Sequence, residues 1–285
     1  MFSKEFPYEY KGYSVNFAEP DLNDVGVRHP KFITSGFISP LIFINTIEEY
    51  LYEYIGVSNL GHLSELDWLA FSEHRLLTLT SGKLFIDELN IKEKLKAISN
   101  YPEPIKLYLI ASNWSLIAEE QAFVKRCFDV DDEIGSILVC SRIAERLMRL
   151  CFLYCNKYAP YSKWFGKAFN LLPISDSIKV TIYNAITAKT INDRENNIVT
   201  AQKMIADIHN SLNITEFVNV KIDNYYGRDI KVIFADKIFE ETVKRLENSP
   251  LKSYPFIGSL SEVPNFTALS DEPKYRDNIK ALYAK

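Results

Sequence analysis

The spacing of apolar positions changes character at about residue 45. Before it, Tyr8, Tyr10, Tyr13, Val15 and Phe17 fall among turn formers with a loose alternation, which predicts short extended pieces. FISPLIFIN, residues 37–45, has the density of a short buried strand, and the polar loop EPDLNDVGVRHPKF lies between the two. After it, the apolar residues recur at helical spacing. Thr46 with Glu49 three places on forms a capping-box pattern ahead of IEEYLYEYI, which Gly56 ends. Ser64 to Asp67 starts a second helix carrying Trp68, Leu69 and Phe71, and Arg75–Thr80 continues helical to Gly82. KLFIDE reads as a brief extended link before a charged amphipathic helix over 89–98.

Pro104 suits the first turn of a helix predicted to run to about Cys127. Asp129, Asp131 and Asp132 then mark a new start, because carboxylates favour the positive end of a helix. The segment 132–156 carries Ile134, Ile137, Leu138, Ile143, Leu147, Leu150 and Leu153, and reads as the central core helix. Further helices are predicted over 161–171, stopped by Pro173, and over 176–190, 193–212 and 235–248. EFVNVKI and DIKVIF read as short strands joined by NYYGR, and the four-proline tail after Ser249 reads as loop until a short helix near Lys280. The fold class predicted is mainly α (α+β): a small β-containing piece, residues 1–60, followed by a helical bundle, residues 61–285.

Composition narrows the function classes. The 285 residues carry a net charge of −4 with no long basic block, which argues against a duplex nucleic-acid partner. No apolar run approaches a membrane span, and the first residues lack a signal-peptide core, so a cytoplasmic protein with no membrane partner is expected. The four cysteines suit buried thiols, and the histidines at 29, 62, 74 and 209 share no ligand spacing, so no metal is assigned. Gly-x-Gly-x-x-Gly, Walker and Gly-x-Ser-x-Gly patterns are absent.

The richest stretch is YAPYSKWFGKAF, residues 158–169. Pro160 stops the preceding helix, and Lys163 falls in the first turn of the next, where a cation opposes the helix dipole. An anion docked there would remove the conflict. Ser162 and Lys163 are therefore candidates to seat a phosphate or carboxylate, with Tyr158, Tyr161 and Trp164 as its wall. The alternative is a solvated lysine beside core aromatics. On the preceding helix Arg142, Arg146 and Arg149 share a face, with Glu145 placed to neutralise part of the charge. Arg142 and Arg146 complete the anion pocket in one reading, and form a paired or solvated stripe in the other. Glu119, with Glu120 next to it on the helix after Trp114, is a candidate general base, against an ordinary exposed carboxylate.

Three blocks carry a family resemblance: DWLAFSEHRLLTLTSGKLFID, YPEPIKLYLIASNWSLIAEEQAFVKR and SRIAERLMRLCFLYCNKYAPYSKWFGKAF. Their order and spacing over roughly 60–172 resemble the bacterial domain-of-unknown-function 4037 family, and residues 5–56 resemble it more loosely. The resemblance implies a nucleotidyltransferase-like protein, similar to the antibiotic-modifying enzymes, in which a palm precedes a helical domain. Such a palm carries Gly-Ser and an Asp-x-Asp or Asp-His-Asp element that hold divalent metal on the nucleotide phosphates. That element is missing here, and Phe43 stands where a later palm carboxylate would align. The resemblance also implies a triphosphate contact for Ser162-Lys163.

The chain is therefore expected to be a shortened member, non-catalytic as it stands, that keeps a nucleotide, anion or substrate pocket on its helical domain. No cofactor is expected in the chain alone, and Mg with a nucleoside triphosphate only if a palm is supplied. The expected partners are a nucleotide or a small phosphorylated or acidic ligand, and a protein partner or second copy docking on residues 1–60. Two alternatives stay open: an interaction module that completes a palm from another chain, and an intact enzyme transferring a nucleotidyl group from an unrecognised site.

Overall fold

The computed structural model describes residues 5–24, 26–263, 269 and 272–283. It divides into two compact units, residues 1–47 and 48–285, each taken by itself below.

In the first unit the aromatic alternation yields one two-residue hairpin, β1 (Glu9–Tyr10) against β2 (Tyr13–Ser14), closed by Gly12 at φ 83°. Isolated bridges pair Phe17 with Pro30 and Asp21 with Val27. Side chains do much of the remaining work. Asn16 donates to the Lys31 carbonyl and accepts from the Ser39 amide, while the Arg28 guanidinium bonds the Ala18 carbonyl and Ser39 Oγ. FISPLIFIN is not a buried strand. Only Ile38 is enclosed, and Leu41, Ile42, Phe43 and Ile44 face outward without ladder partners. Pro40 within the run removes a backbone donor, which explains the failure of the strand reading.

The second unit is a helical bundle. Its helices include α1 (Ile47–Ile55), α2 (Glu65–Leu69), α3 (Glu73–Ser81), α4 (Ile91–Ala97), α5 (Glu103–Glu120), α6 (Phe123–Arg126), α7 (Glu133–Tyr154), α8 (Ser162–Asn170), α9 (Asp176–Thr187), α10 (Ile191–Ser211), α11 (Asp236–Lys244) and α12 (Arg276–Lys280). The end signals are physical as well as statistical. Ser64 and Asp67 form a reciprocal capping box on α2, Asp132 accepts from the Gly135 amide at the start of α7, and Gly56 takes φ 72° after α1. The helix expected to run to Cys127 stops at Glu120 and restarts as α6. The Gln121 side chain, buried at that break, accepts from the Ile233 and Ala235 amides. Of the two strands expected after Asn213, DIKVIF supplies β4 (Lys231–Val232), but its partner β3 is Asp223–Asn224 rather than EFVNVKI. In the proline-rich tail, residues 264–268 and 270–271 lie outside the described residues.

The core lies where α5 and α7 meet, with α9 and α10 against α7 and α11 against α5. α5 is buried around its whole circumference between Leu107 and Trp114, Ser112 and Asn113 included, as in a helix enclosed on all sides. α7 shares the core only from Ser136 onward: Ile134, Ile137 and Leu138, expected in its buried face, are exposed. Fully burying one large aliphatic or aromatic side chain contributes roughly 1.5–3 kcal/mol, so Trp114, Tyr108, Leu109 and Ile110 alone supply a large share of the drive to pack α5.

One polar chain crosses this core. Trp114 Nε1 donates to Tyr154 Oη at 2.9 Å, Tyr154 Oη meets His209 Nδ1 at 3.0 Å, and His209 Nε2 meets Thr215 Oγ1 at 3.0 Å. Thr215 Oγ1 in turn donates to the Glu216 carbonyl. An indole can only donate, so the phenol proton points to Nδ1 and the imidazole proton sits on Nε2. Every member is satisfied by a neutral histidine, and burial lowers the His209 pKa to about 4.

The unfolded chain protonates His209 near pH 6.5 and the folded chain only near pH 4, so the unfolded state binds more protons between those values. Stability from this site is complete above pH 6.5 and is lost as pH falls toward 4. Urea denaturation at pH 7 and pH 4.5 is expected to show wild type losing about 2–3 kcal/mol more than His209→Gln over that interval. An equal loss in the two proteins would contradict the neutral chain.

Candidate functional site

A buried ionic cluster joins α3, α7 and the segment before residue 263. Arg149, nine-tenths buried, is its centre. Its guanidinium reaches Glu145 Oε1 at 3.0 Å, Glu73 Oε2 at 3.5 Å and the Ser261 carbonyl at 3.3 Å, and stacks 5.2 Å from the Phe165 ring centroid. Glu73 opens α3, its amide donating to Ser261 Oγ at 2.8 Å. Its carboxylate also accepts from the Ala159 amide, next to the proline that breaks the chain between α7 and α8. Glu262 is buried beside them, accepting from Arg146 Nη1 and Asn113 Nδ2, each at 3.3 Å.

The approach of Glu262 dictates Gly258. That residue holds φ 87°, and a Cβ there would lie 2.3 Å from Glu262 Oε2. A side chain would be strained by the backbone and would strike the carboxylate. The Gly258 carbonyl accepts from Tyr283 Oη at 2.7 Å, and the Leu260 amide donates to the Leu69 carbonyl at 2.8 Å. Residues 258–262 are thereby held across the ends of α2 and α3.

Three carboxylates, Glu73, Glu145 and Glu262, face two guanidiniums, Arg146 and Arg149. One negative charge is in excess. Burial is the largest cause of the upward shift at Glu73, which reaches about 7; Arg149 and the Ala159 amide oppose it, and Glu262 adds to it. Burial raises Glu262 as well, against the pull of Arg149 and Arg146. At neutral pH the cluster thus shares a proton centred on Glu73.

This cluster opens into a cavity of about 220 Å³. Glu73, Glu145 and Arg149 supply its charge; Ser141, Ser162 and Ser261 its hydroxyls; Tyr161, Phe165 and His74 its rings. His74 is oriented by Ser72 Oγ on Nδ1 at 3.0 Å and by the Tyr161 ring, 5.7 Å between centroids. Among the described residues no group of three His, Cys, Asp or Glu side chains is arranged to hold a metal ion.

The sequence-predicted residues divide. Ser162 and Tyr161 line the cavity. Arg146 stands behind it, engaged by Glu262. Arg142 is drawn away by Glu120, with Nη2 and Nε at 2.7 and 2.9 Å from Oε1, and Glu119 is exposed. Tyr158 is core rather than wall: its hydroxyl donates to the Ile98 carbonyl and its ring stands edge-on to Tyr101. Lys163 is exposed, its Nζ 5.5 Å from the ring centroid of the half-exposed Trp164, and neither residue lines the cavity. The expected cradle of Lys163 with Arg142 and Arg146 is therefore not assembled. The conflict of a lysine with the helix dipole is relieved by solvent and by the indole face, since a cation–π contact is favourable even at an exposed site.

Residues 68–165 match the model of the domain of unknown function DUF4037. That segment is a DUF4037 domain, and the match covers about a third of the chain. It contains the α3, α7 and α8 walls of the cavity; Ile186, Leu260 and Ser261 come from beyond it. No curated protein and no solved structure matches the chain.

The sequence places Arg149 in a stripe with Arg142 and Arg146 that Glu145 partly neutralises, and gives no sign of Glu73 or Glu262. Glu73 follows a serine at a helix start, which reads as a surface position, and Glu262 sits in a stretch read as loop. The Glu145-x-x-x-Arg149 spacing was the available signal.

Removing one member of a buried ion cluster leaves uncompensated charge, which costs about 3–5 kcal/mol, whereas an exposed pair contributes about 0–1 kcal/mol. Chemical denaturation at pH 7.5 is expected to place Arg149→Met in the first range and Arg142→Ala, whose side chain is half exposed, in the second. The Arg149→Met deficit should shrink toward pH 5, as Glu73 and Glu262 take up protons. Equal losses for the two variants would refute the cluster as a structural centre.

Proposed function

We propose that this protein is nucleotidyltransferase-like and that its helical unit holds a small polar substrate in the cavity around Arg149. The observation carrying the reading is that Arg149, Glu73 and Glu145 all line one cavity while the guanidinium pairs with both carboxylates. Fixed charges preorganised by a buried framework are what a polar ligand needs for orientation. At about 220 Å³ the cavity is smaller than the ~300–1,000 Å³ of drug-sized sites, so it suits a substrate fragment rather than a whole nucleotide. The engagement of Arg142 by Glu120 and Arg146 by Glu262 supports the same division, with the substrate in the cavity and no phosphate seat on those two arginines.

In this reading the chain as given is not a complete catalyst. The sequence contains no Asp-x-Asp pair after a Gly-Ser, and a nucleoside triphosphate with Mg would enter only with a palm supplied from elsewhere. A second reading, an interaction module that completes such a palm, draws on the run Leu41–Ile44, which its own unit does not bury.

Thermal denaturation with a panel of amino acids, sugars, amines and nucleosides at millimolar concentration tests the cavity. At tenfold excess over its dissociation constant a ligand contributes about 1.4 kcal/mol, a rise of roughly 3–6 °C. The expected result is a rise in wild type and in Lys163→Ala, and none in Ser162→Trp, which fills the mouth from a solvent-facing position. No response to any member of the panel, or loss of the response in Lys163→Ala with retention in Ser162→Trp, would overturn the reading.

A further inference from the structure

The cavity's charges specify its ligand more narrowly. Glu73 and Glu145 approach it from different helices, bridged by the single guanidinium of Arg149. Glu145 uses Oε1 alone for that bridge, its Oε2 bonds no described residue, and its side chain is one-third exposed. The guanidinium is itself spent on both carboxylates, the Ser261 carbonyl and the Phe165 ring, so it offers little to an incoming anion. An acceptor-rich floor with one negative charge in excess, beside the aromatic rings of Phe165 and Tyr161, is complementary to a positive group.

We propose that the cavity binds a small organic cation, with a primary or secondary ammonium group seated between Glu73 and Glu145. This rests on the cavity being a small-molecule site and adds the chemical class of its ligand. The ammonium donates to the free carboxylate oxygen of Glu145 and to Glu73, its carbon stem lies against Phe165 and Tyr161, and the serine hydroxyls complete the shell.

Binding is coupled to a proton. The groups facing Glu73 are Arg149 and Glu145 from α7, Glu262 from the 258–262 segment, Tyr101 ahead of α5 and Tyr158 from the α7–α8 link, with His74 on its own helix. Burial and Glu262 outweigh the opposing pull of Arg149 and the Ala159 amide, so the unliganded cluster retains a proton on Glu73 near neutrality. An entering ammonium supplies the missing positive charge, and that proton leaves to solvent. Ligand affinity rises with pH through about 7 and levels off above it.

Calorimetry of the whole chain with 1,4-diaminobutane, butylamine and the neutral 1,4-butanediol tests this, in phosphate and in HEPES, whose ionisation enthalpies differ. The expected result at pH 7 is amine binding at least tenfold tighter than diol binding, with a fraction of a proton released per amine bound. Glu145→Gln weakens the amine at least tenfold, and Glu73→Gln abolishes proton release. Diol binding as tight as amine binding, tighter binding of inorganic phosphate or acetate, or amine binding unchanged in both glutamine variants would overturn the proposal. Absence of amine binding at 10 mM would do the same. If a neutral ligand still binds in wild type and is lost in Ser162→Trp, the cavity stands as a site and only the cationic class falls; if nothing binds, both fall.

Discussion

The second unit is organised around a charge that packing alone cannot balance. Arg149 is buried because two carboxylates, a backbone carbonyl and an aromatic face replace the water it has given up. To supply them, the chain must bring together the start of α3, the middle of α7, the link before α8 and the 258–262 segment, positions separated by as many as 188 residues. Position 258 takes glycine because its φ is 87° and Glu262 occupies the space where a Cβ would be. Yet the replacement overshoots, leaving three carboxylates for two guanidiniums, and the excess faces a cavity.

α7 therefore serves two polar systems of opposite kind. Toward the core, Tyr154 belongs to a chain running from an indole to a threonine, in which a neutral His209 satisfies both neighbours and nothing is left over. Toward α3 and α8, Arg149 and Glu145 belong to a cluster that ends in unfilled acceptor capacity. A closed network fixes how α5, α7 and α10 meet; an unbalanced one beside a cavity is the arrangement associated with ligand sites, where pKa values depart from their ordinary range. The contrast between two networks on one helix is the strongest reason to read the second as more than structural.

Much of the helical frame was legible because its signals are local: the Ser64 box, the acids before α7, the prolines at 102, 104 and 160. The matched DUF4037 segment, 68–165, likewise falls inside the stretch whose motifs carried the resemblance. FISPLIFIN misled because apolar density resembles a strand whether or not a ladder partner exists, and the first turns of α7 misled because periodicity does not say which face is covered. The site was legible only in part. Tyr161 and Ser162 flank the cavity as the aromatic stretch suggested, but the adjacent lysine points elsewhere, since one residue along a helix turns a side chain through about 100°. Glu73 and Glu262 were invisible because their meaning lies in contacts made across the whole chain, and no short motif records that.

The direct test of the charge imbalance is the ionisation of Glu73 itself. Carbon-13 NMR of glutamate side-chain carboxyls, titrated from pH 4 to 9 in the unliganded protein, follows each group. The account predicts one carboxyl with a midpoint near 7, and its disappearance in Glu73→Gln. A spectrum in which every glutamate ionises below about pH 5 would contradict it, because a buried carboxylate facing an unbalanced negative charge cannot ionise in the ordinary range.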